Sequence, residues 1–278
     1  MDASRDNWTL RMDRRVRVTG TLRTESGLHV GSGSGSSQTD ATVLRHADGR
    51  PYIPGSSLKG AFRSRVARLA QAPALKEAGA TSCLLYADDP DATTAPDCPS
   101  PGWIDSGKDA TEATEEDFGE LCHTCTLFGS PILAGKIRIP DLDVTDGTRR
   151  RQGEIRDGVG IDRDRGNAVE EESIKFDYEV VPVGTTFGFS LAVENPGPTE
   201  LGLLAAGIRE MQRGHLAIGG KTTRGLGTCV LEDLSIENAD FSSAEALSDY
   251  LQKGGGKNGK VEDPDAFLDR CIEALFED

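Results

Sequence analysis

Four of the six cysteines fall in one window: Cys83, Cys98, and the pair in Cys122-His123-Thr124-Cys125. A Cys-x-x-Cys with two further thiols nearby reads as a tetrahedral zinc site, with the first pair widely spaced and His123 able to replace one sulfur. Such an ion contributes on the order of 10 kcal/mol to ordering a segment with little core of its own. A redox pair, which would want a thioredoxin-like context absent here, and plain free thiols are the competing readings; disulfides do not suit a cytosolic chain. A second constellation is basic. Pro54-Gly55-Ser56-Ser57-Leu58-Lys59-Gly60 opens a helix, with two serines where an N-cap belongs and Lys59 and Arg63 in the first turns. Free backbone N–H groups beside cations suit a phosphate chain, although an ordinary capped surface helix would look the same.

The third constellation is the glycine-rich run Gly219-Gly220-Lys221-Thr222-Thr223-Arg224-Gly225-Leu226-Gly227. It is not a Walker A loop: His215 stands where the first glycine is required, and strand-like residues rather than a long helix follow Thr222. What remains is a basic loop whose backbone can approach phosphates closely. Gly31-Ser32-Gly33-Ser34-Gly35-Ser36-Ser37 looks like a dinucleotide fingerprint, but no helix follows it. Asp40, just beyond that loop, reads by itself as a turn residue.

The elements that must position these groups follow from periodicity. Alternation predicts strands over 14–24, 41–44, 136–144, 174–181, 185–193, 215–218 and 228–236. Leu58, Phe62 and Leu69, with Val66 beside them, predict one amphipathic helix; Leu201, Leu204, Ala205, Ile208 and Met211 predict another over 199–213. Residues 79–121 read as an insertion and 146–172 as a charged excursion, and two helices close the tail. The order is that of an α+β protein, a modified ferredoxin-like sheet as in RNA-recognition modules. The usual pair of base-stacking aromatics is missing.

The net charge of −15 argues at first against a nucleic-acid partner. Its distribution reverses that. Residues 83–121 carry a net −10 and residues 232–278 a net −9, which leaves about +4 on the rest. An acidic total also fits plain solubility or a salt-rich host, so its sign decides little. No apolar run is long enough for a bilayer and the N-terminus lacks a signal-peptide core, so a cytoplasmic protein without a membrane partner is expected.

The helix opener, the segment Cys122-His123-Thr124-Cys125-Thr126-Leu127-Phe128-Gly129 and the run Ile218–Gly227 together resemble the RAMP superfamily. The likeness is greatest to the repeated backbone subunit of type III CRISPR effector complexes. Ile161-Asp162-Arg163, followed by Phe176-Asp177-Tyr178-Glu179-Val180-Val181-Pro182, resembles that subunit's thumb hairpin and the strand after it. The likeness covers about residues 14–236. It implies a palm over 14–78, 126–145 and 173–236, an inserted zinc-bearing segment over 79–125, a protruding β-hairpin thumb over 146–172, and an acidic helical tail over 237–278.

The resemblance further implies CRISPR RNA lying across the palm, further copies of the chain stacked as a filament, and other effector subunits as partners. The thumb would kink the guide–target duplex at regular intervals, and complementary target RNA would be cut opposite each kink, with Asp40 as the matching catalytic acid. The expected products carry a 2′,3′-cyclic phosphate and a 5′-hydroxyl. Asp40 would either hold Mg²⁺ (or another divalent ion) or take the 2′-OH proton. Ser56, Ser57, Lys59, Arg63, Gly219, Gly220, Lys221 and Arg224 are the expected guide contacts, with Arg163 from the thumb. Two other readings stay open: a catalytically inactive guide-binding subunit, and a guide-processing endoribonuclease that would use His29.

Overall fold

A computed structural model describes residues 11–35, 39–83, 98, 112–145, 153–159, 175–253 and 259–277. Chain order runs β1 (Arg14–Thr24), β2 (Tyr52–Ile53), α1 (Gly55–Ala70), α2 (Pro73–Glu77), α3 (Glu115–Gly119), α4 (His123–Phe128), β3 (Ile137–Arg138) and β4 (Leu142–Asp143). It continues with β5 (Glu154–Val159), β6 (Lys175–Val180), β7 (Thr186–Glu194), α5 (Pro198–Gln212), a 3₁₀ turn (Thr222–Arg224), β8 (Cys229–Asp240), α6 (Ala244–Lys253) and α7 (Pro264–Glu273).

The principal sheet has the order β3-β7-β1-β8, and every neighbouring pair is antiparallel. Alternation in β1 sends Val16, Val18 and Leu22 to one face, opposite Val193, Leu191 and Phe187 of β7. That face is buried together with Leu58, Phe62 and Val66 of α1 and Leu204, Ile208 and Met211 of α5. Removing each such side chain from water contributes about 1.5–3 kcal/mol. The other face stays polar, with Arg15, Arg17 and Arg23 along β1. Gly207 lets the two helices meet, since a methyl there would overlap the Phe62 ring.

Several expected elements come out differently. The strand foreseen over 136–144 is cut by Pro140, which has no N–H for a ladder: β3 pairs with β7, whereas β4 pairs with β2. Residues 41–44 form no regular strand; a single antiparallel bridge, Gly31↔Val43, joins them to the start of the glycine–serine run. The strand over 215–218 is one bridge, Ala217↔Thr228. β6 leaves the principal sheet and pairs with β5 instead.

The acidic tail is docked on the body. Phe267, Leu268 and Leu275 join the main core, and Gly202 of α5 admits the close approach of Leu275. Arg209 clasps Asp265 and Asp269 of α7 at 2.5 and 2.7 Å. Among the described residues no helix is long and apolar enough to cross a membrane.

Candidate functional site

The strand β6 gathers most of the groups singled out in the sequence. Its alternation places Phe176 and Tyr178 in one set and Asp177 and Glu179 in the other. Lys221 Nζ lies 4.8 Å from the Tyr178 ring centre and 5.1 Å from that of Phe176, and the Arg224 guanidinium lies 5.2 Å from Phe176. Such cation–ring contacts are worth about 0.5–1 kcal/mol at exposed sites. Among the described residues neither cation is ion-paired with a carboxylate, so both charges stay open to an anionic chain. Gly158 of β5 stands across from Phe176 and makes room for its ring.

The glycine-rich loop is rigidly seated. Gly220 N–H donates to the His29 carbonyl at 2.8 Å, and Gly227 N–H to that of Gly27 at 2.9 Å. Gly219 has φ +84°, and a methyl there would overlap the His29 carbonyl oxygen. Gly219→Ala combines a left-handed backbone penalty with a clash, and should cost about 2–4 kcal/mol. Urea denaturation checks this; an unchanged midpoint would refute the packing.

Asp40 is exposed and is tied to the same strand by a reciprocal pair of bonds. Its N–H donates to Asp177 Oδ1 at 2.7 Å, and its Oδ2 accepts from Asp177 N–H at 3.0 Å. Its Oδ1 has no hydrogen bond among the described residues. The Thr39 side chain, and then the Asp40 N–H, hold the Asp177 carboxyl below the usual range. Segment 39–43 continues along β6, with Glu179 N–H donating to the Ala41 carbonyl at 2.8 Å. His29 is buried between these parts. Its Nδ1 lies 2.7 Å from the Glu179 carbonyl oxygen, which makes Nδ1 the protonated nitrogen.

The start of α1 corrects the sequence reading. Pro54 is the N-cap, so Ser56 and Ser57 lie inside the first turn, and neither caps it. Asp141 already accepts the Gly55 N–H at 2.8 Å, so part of the helix opening is satisfied by the protein itself. Lys59 Nζ donates to the Ile137 carbonyl at 3.2 Å, and burial, then the Arg63 charge, lowers its pKa. Arg63 departs furthest from expectation. Its guanidinium donates to the Gly129 carbonyl at 2.6 Å and to Cys125 Sγ at 3.2 Å, at the cysteine cluster rather than at an open surface. Arg163 lies outside the described residues.

Cys83, Cys98, Cys122 and Cys125 come together as expected. All four are buried, and their sulfurs lie within 4.8 Å of one another. Tetrahedral Zn–S bonds of about 2.3 Å put sulfurs about 3.8 Å apart, so the donor set fits a metal such as zinc. Cys122 is the N-cap of α4 and Cys125 sits in its first turn, while Cys122 N–H donates to Cys98 Sγ at 3.2 Å. Hydrogen bonds from the neighbouring thiols push Cys122 toward thiolate, and the Cys122 thiolate pushes Cys125 up. Four mutually crowded thiols cannot all ionise without a cation among them. His123 is not among the donors: its Nδ1 lies 2.8 Å from Thr81 Oγ1.

The sequence model of the RAMP superfamily matches residues 21–230, a span that includes β7, both main helices and the glycine-rich loop. The chain belongs to the RAMP superfamily. This RAMP chain is also similar to the CRISPR system Cms endoribonuclease Csm3 of Methanothermobacter thermautotrophicus. The two are 24% identical over 241 residues, which cover 82% of this chain and 87% of that relative. The strand over 174–181 is legible in the sequence of the RAMP chain; what the sequence reading missed is that Phe176, Asp177 and Tyr178 gather Lys221, Arg224 and Asp40, because alternation does not name the neighbours of a strand.

Proposed function

We propose that the chain is a CRISPR RNA-binding backbone subunit of a type III-like effector complex. In this reading it stacks in several copies along the guide and cuts complementary target RNA at regular intervals. The observation that carries it is the exposed Asp40 carboxylate, fixed to the same strand on which Lys221 and Arg224 sit, among the described residues, without carboxylate partners. The relative's description as an endoribonuclease supports the catalytic half of the reading.

The antiparallel sheet order β3-β7-β1-β8, with α1 and α5 packed in its core, supports reading the body as a ferredoxin-like palm, and β5 with β6 would form the base of the thumb. Guide phosphates would meet Lys221, Arg224 and the Gly219 backbone, with Ser56, Ser57 and Lys59 at the start of α1; the Gly220 N–H is already committed to the His29 carbonyl. Arg63 belongs instead to the thiolate centre. Zinc would occupy the four-cysteine cluster. At a kinked linkage the ribose 2′-OH lies in line with its phosphorus, and geometry supplies much of the acceleration. Asp40 Oδ1 is the oxygen available either to take the 2′-OH proton or to hold a divalent ion with waters. Such an ion, when bound, would neutralise charge developing on the phosphate.

His29 does not suit a guide-processing role, since its ring is buried and Nδ1 is committed to Glu179. The deciding experiment is cleavage of labelled complementary RNA by the reconstituted complex, with Mg²⁺ and with EDTA. Regularly spaced, EDTA-sensitive cuts ending in 2′,3′-cyclic phosphate are expected. A complex that binds guide and target yet leaves the target intact would leave a guide-binding scaffold.

A further inference from the structure

Asp40 follows the run Gly31–Ser37, a poor foundation for a group that must be held within about 0.5 Å of a working geometry. Glycine and serine give such a segment many conformations to lose on ordering. Yet the two ends of Asp40 are both held by one residue. Asp177 Oδ1 takes its N–H, and Asp177 N–H holds its Oδ2. Asp177 is itself fixed, through its place in β6 and its register opposite Asp157 of β5. The next link, Glu179 N–H to the Ala41 carbonyl, continues the anchoring but does not touch the Asp40 carboxylate.

We propose that Asp177 is a positioning residue for Asp40: its side chain and backbone clamp the acid so that Oδ1 alone is presented to RNA. The inference rests on the reading in which Asp40 acts on the target strand. The backbone half of the clamp survives any substitution at 177, whereas the side-chain half depends on an acceptor oxygen. Asparagine keeps that oxygen without the charge; alanine removes it.

The test compares Asp177→Asn and Asp177→Ala in the reconstituted complex. Two readouts are taken: single-turnover cleavage across a Mg²⁺ titration, and hydrogen exchange of segment 39–43. Asp177→Ala is expected to slow cleavage about 10- to 100-fold at saturating target, with target binding and guide binding unchanged. It should also speed exchange of the segment. Asp177→Asn should stay within about threefold of wild type, with the same Mg²⁺ half-saturation and the same protection.

Wild-type rate and protection in Asp177→Ala would overturn the proposal. So would an Asp177→Asn complex as slow as Asp177→Ala with a shifted Mg²⁺ requirement, since Asp177 would then be a ligand. Loss of assembly in Asp177→Ala would also overturn it, because the role would be global. An Asp40→Ala complex that cuts like wild type would sink the reading of Asp40 itself, and the exchange data would still decide whether Asp177 holds the segment.

Discussion

Asp40→Ala is expected to lower target-RNA cleavage by at least about 100-fold at every regular cut position, while guide protection and assembly stay as in wild type. The magnitude follows from the chemistry left to one carboxylate. A positioned general base contributes about 10²–10⁴-fold, and a carboxylate that holds a divalent ion contributes on a similar scale. Assembly should be indifferent because the Asp40 side chain is exposed and, among the described residues, hydrogen-bonds only the Asp177 N–H through Oδ2. The guide contacts proposed for Lys221 and Arg224 lie on the rings of Phe176 and Tyr178 and do not involve Asp40. Asp40→Asn divides the two chemical roles. It keeps an oxygen in place but can neither accept a proton nor match a carboxylate toward a cation, so added Mn²⁺ should rescue part of its activity only if the role is ion binding. Unchanged cuts in Asp40→Ala would move the catalytic centre elsewhere on the chain.

The sequence made the frame of this site legible and left its contacts unread. β1, β7, β8 and the two main helices emerged because each carries its own period, and the period alone decides which face is buried. Phe62 and Val66 on α1 and Ile208 on α5 needed no knowledge of one another to be placed in a core. The thiolate set was legible for a similar reason: Cys122 and Cys125 are separated by two residues, and thiols in one window have few alternatives. What alternation could not give was partnership. Phe176-Asp177-Tyr178-Glu179 spells a strand whether it joins the principal sheet or pairs with β5. Arg63 shows the same limit in a side chain. A basic residue near a helix start suggests phosphate, and only the fold turns it toward Gly129 and Cys125. The docking of the tail is not announced by its charge-dominated composition, and Phe267, Leu268 and Leu275 are enough to seat it.

Removing the metal from the cysteine cluster should destabilise more than the inserted segment. The purified chain is expected to carry about one zinc per copy, and Cys122→Ser should lose it while Cys229→Ser retains it. Cys229 is buried in β8 away from the four thiols, with its own pKa pushed up to about 12 by burial. Structural zinc contributes folding free energy directly, on the order of 10 kcal/mol, of which part is recovered when the segment loosens. A net loss of about 5 kcal/mol would lower Tm by about 10 °C for a domain of this size. The effect should also reach α1, because Arg63 is shared: a guanidinium that donates to Cys125 Sγ in the cluster also ties the helix to the Gly129 carbonyl. Phe62 against Phe128, with ring centres 5.6 Å apart, joins the same two helices through the core. Chelation is therefore expected to speed hydrogen exchange in the first turns of α1 as well as in α4, and Arg63→Ala should reproduce the α1 effect with zinc still bound. Metal content and Tm unchanged in Cys122→Ser would reduce the cluster to four packed thiols, and an α1 that stays protected after zinc is lost would show that the helix stands without it.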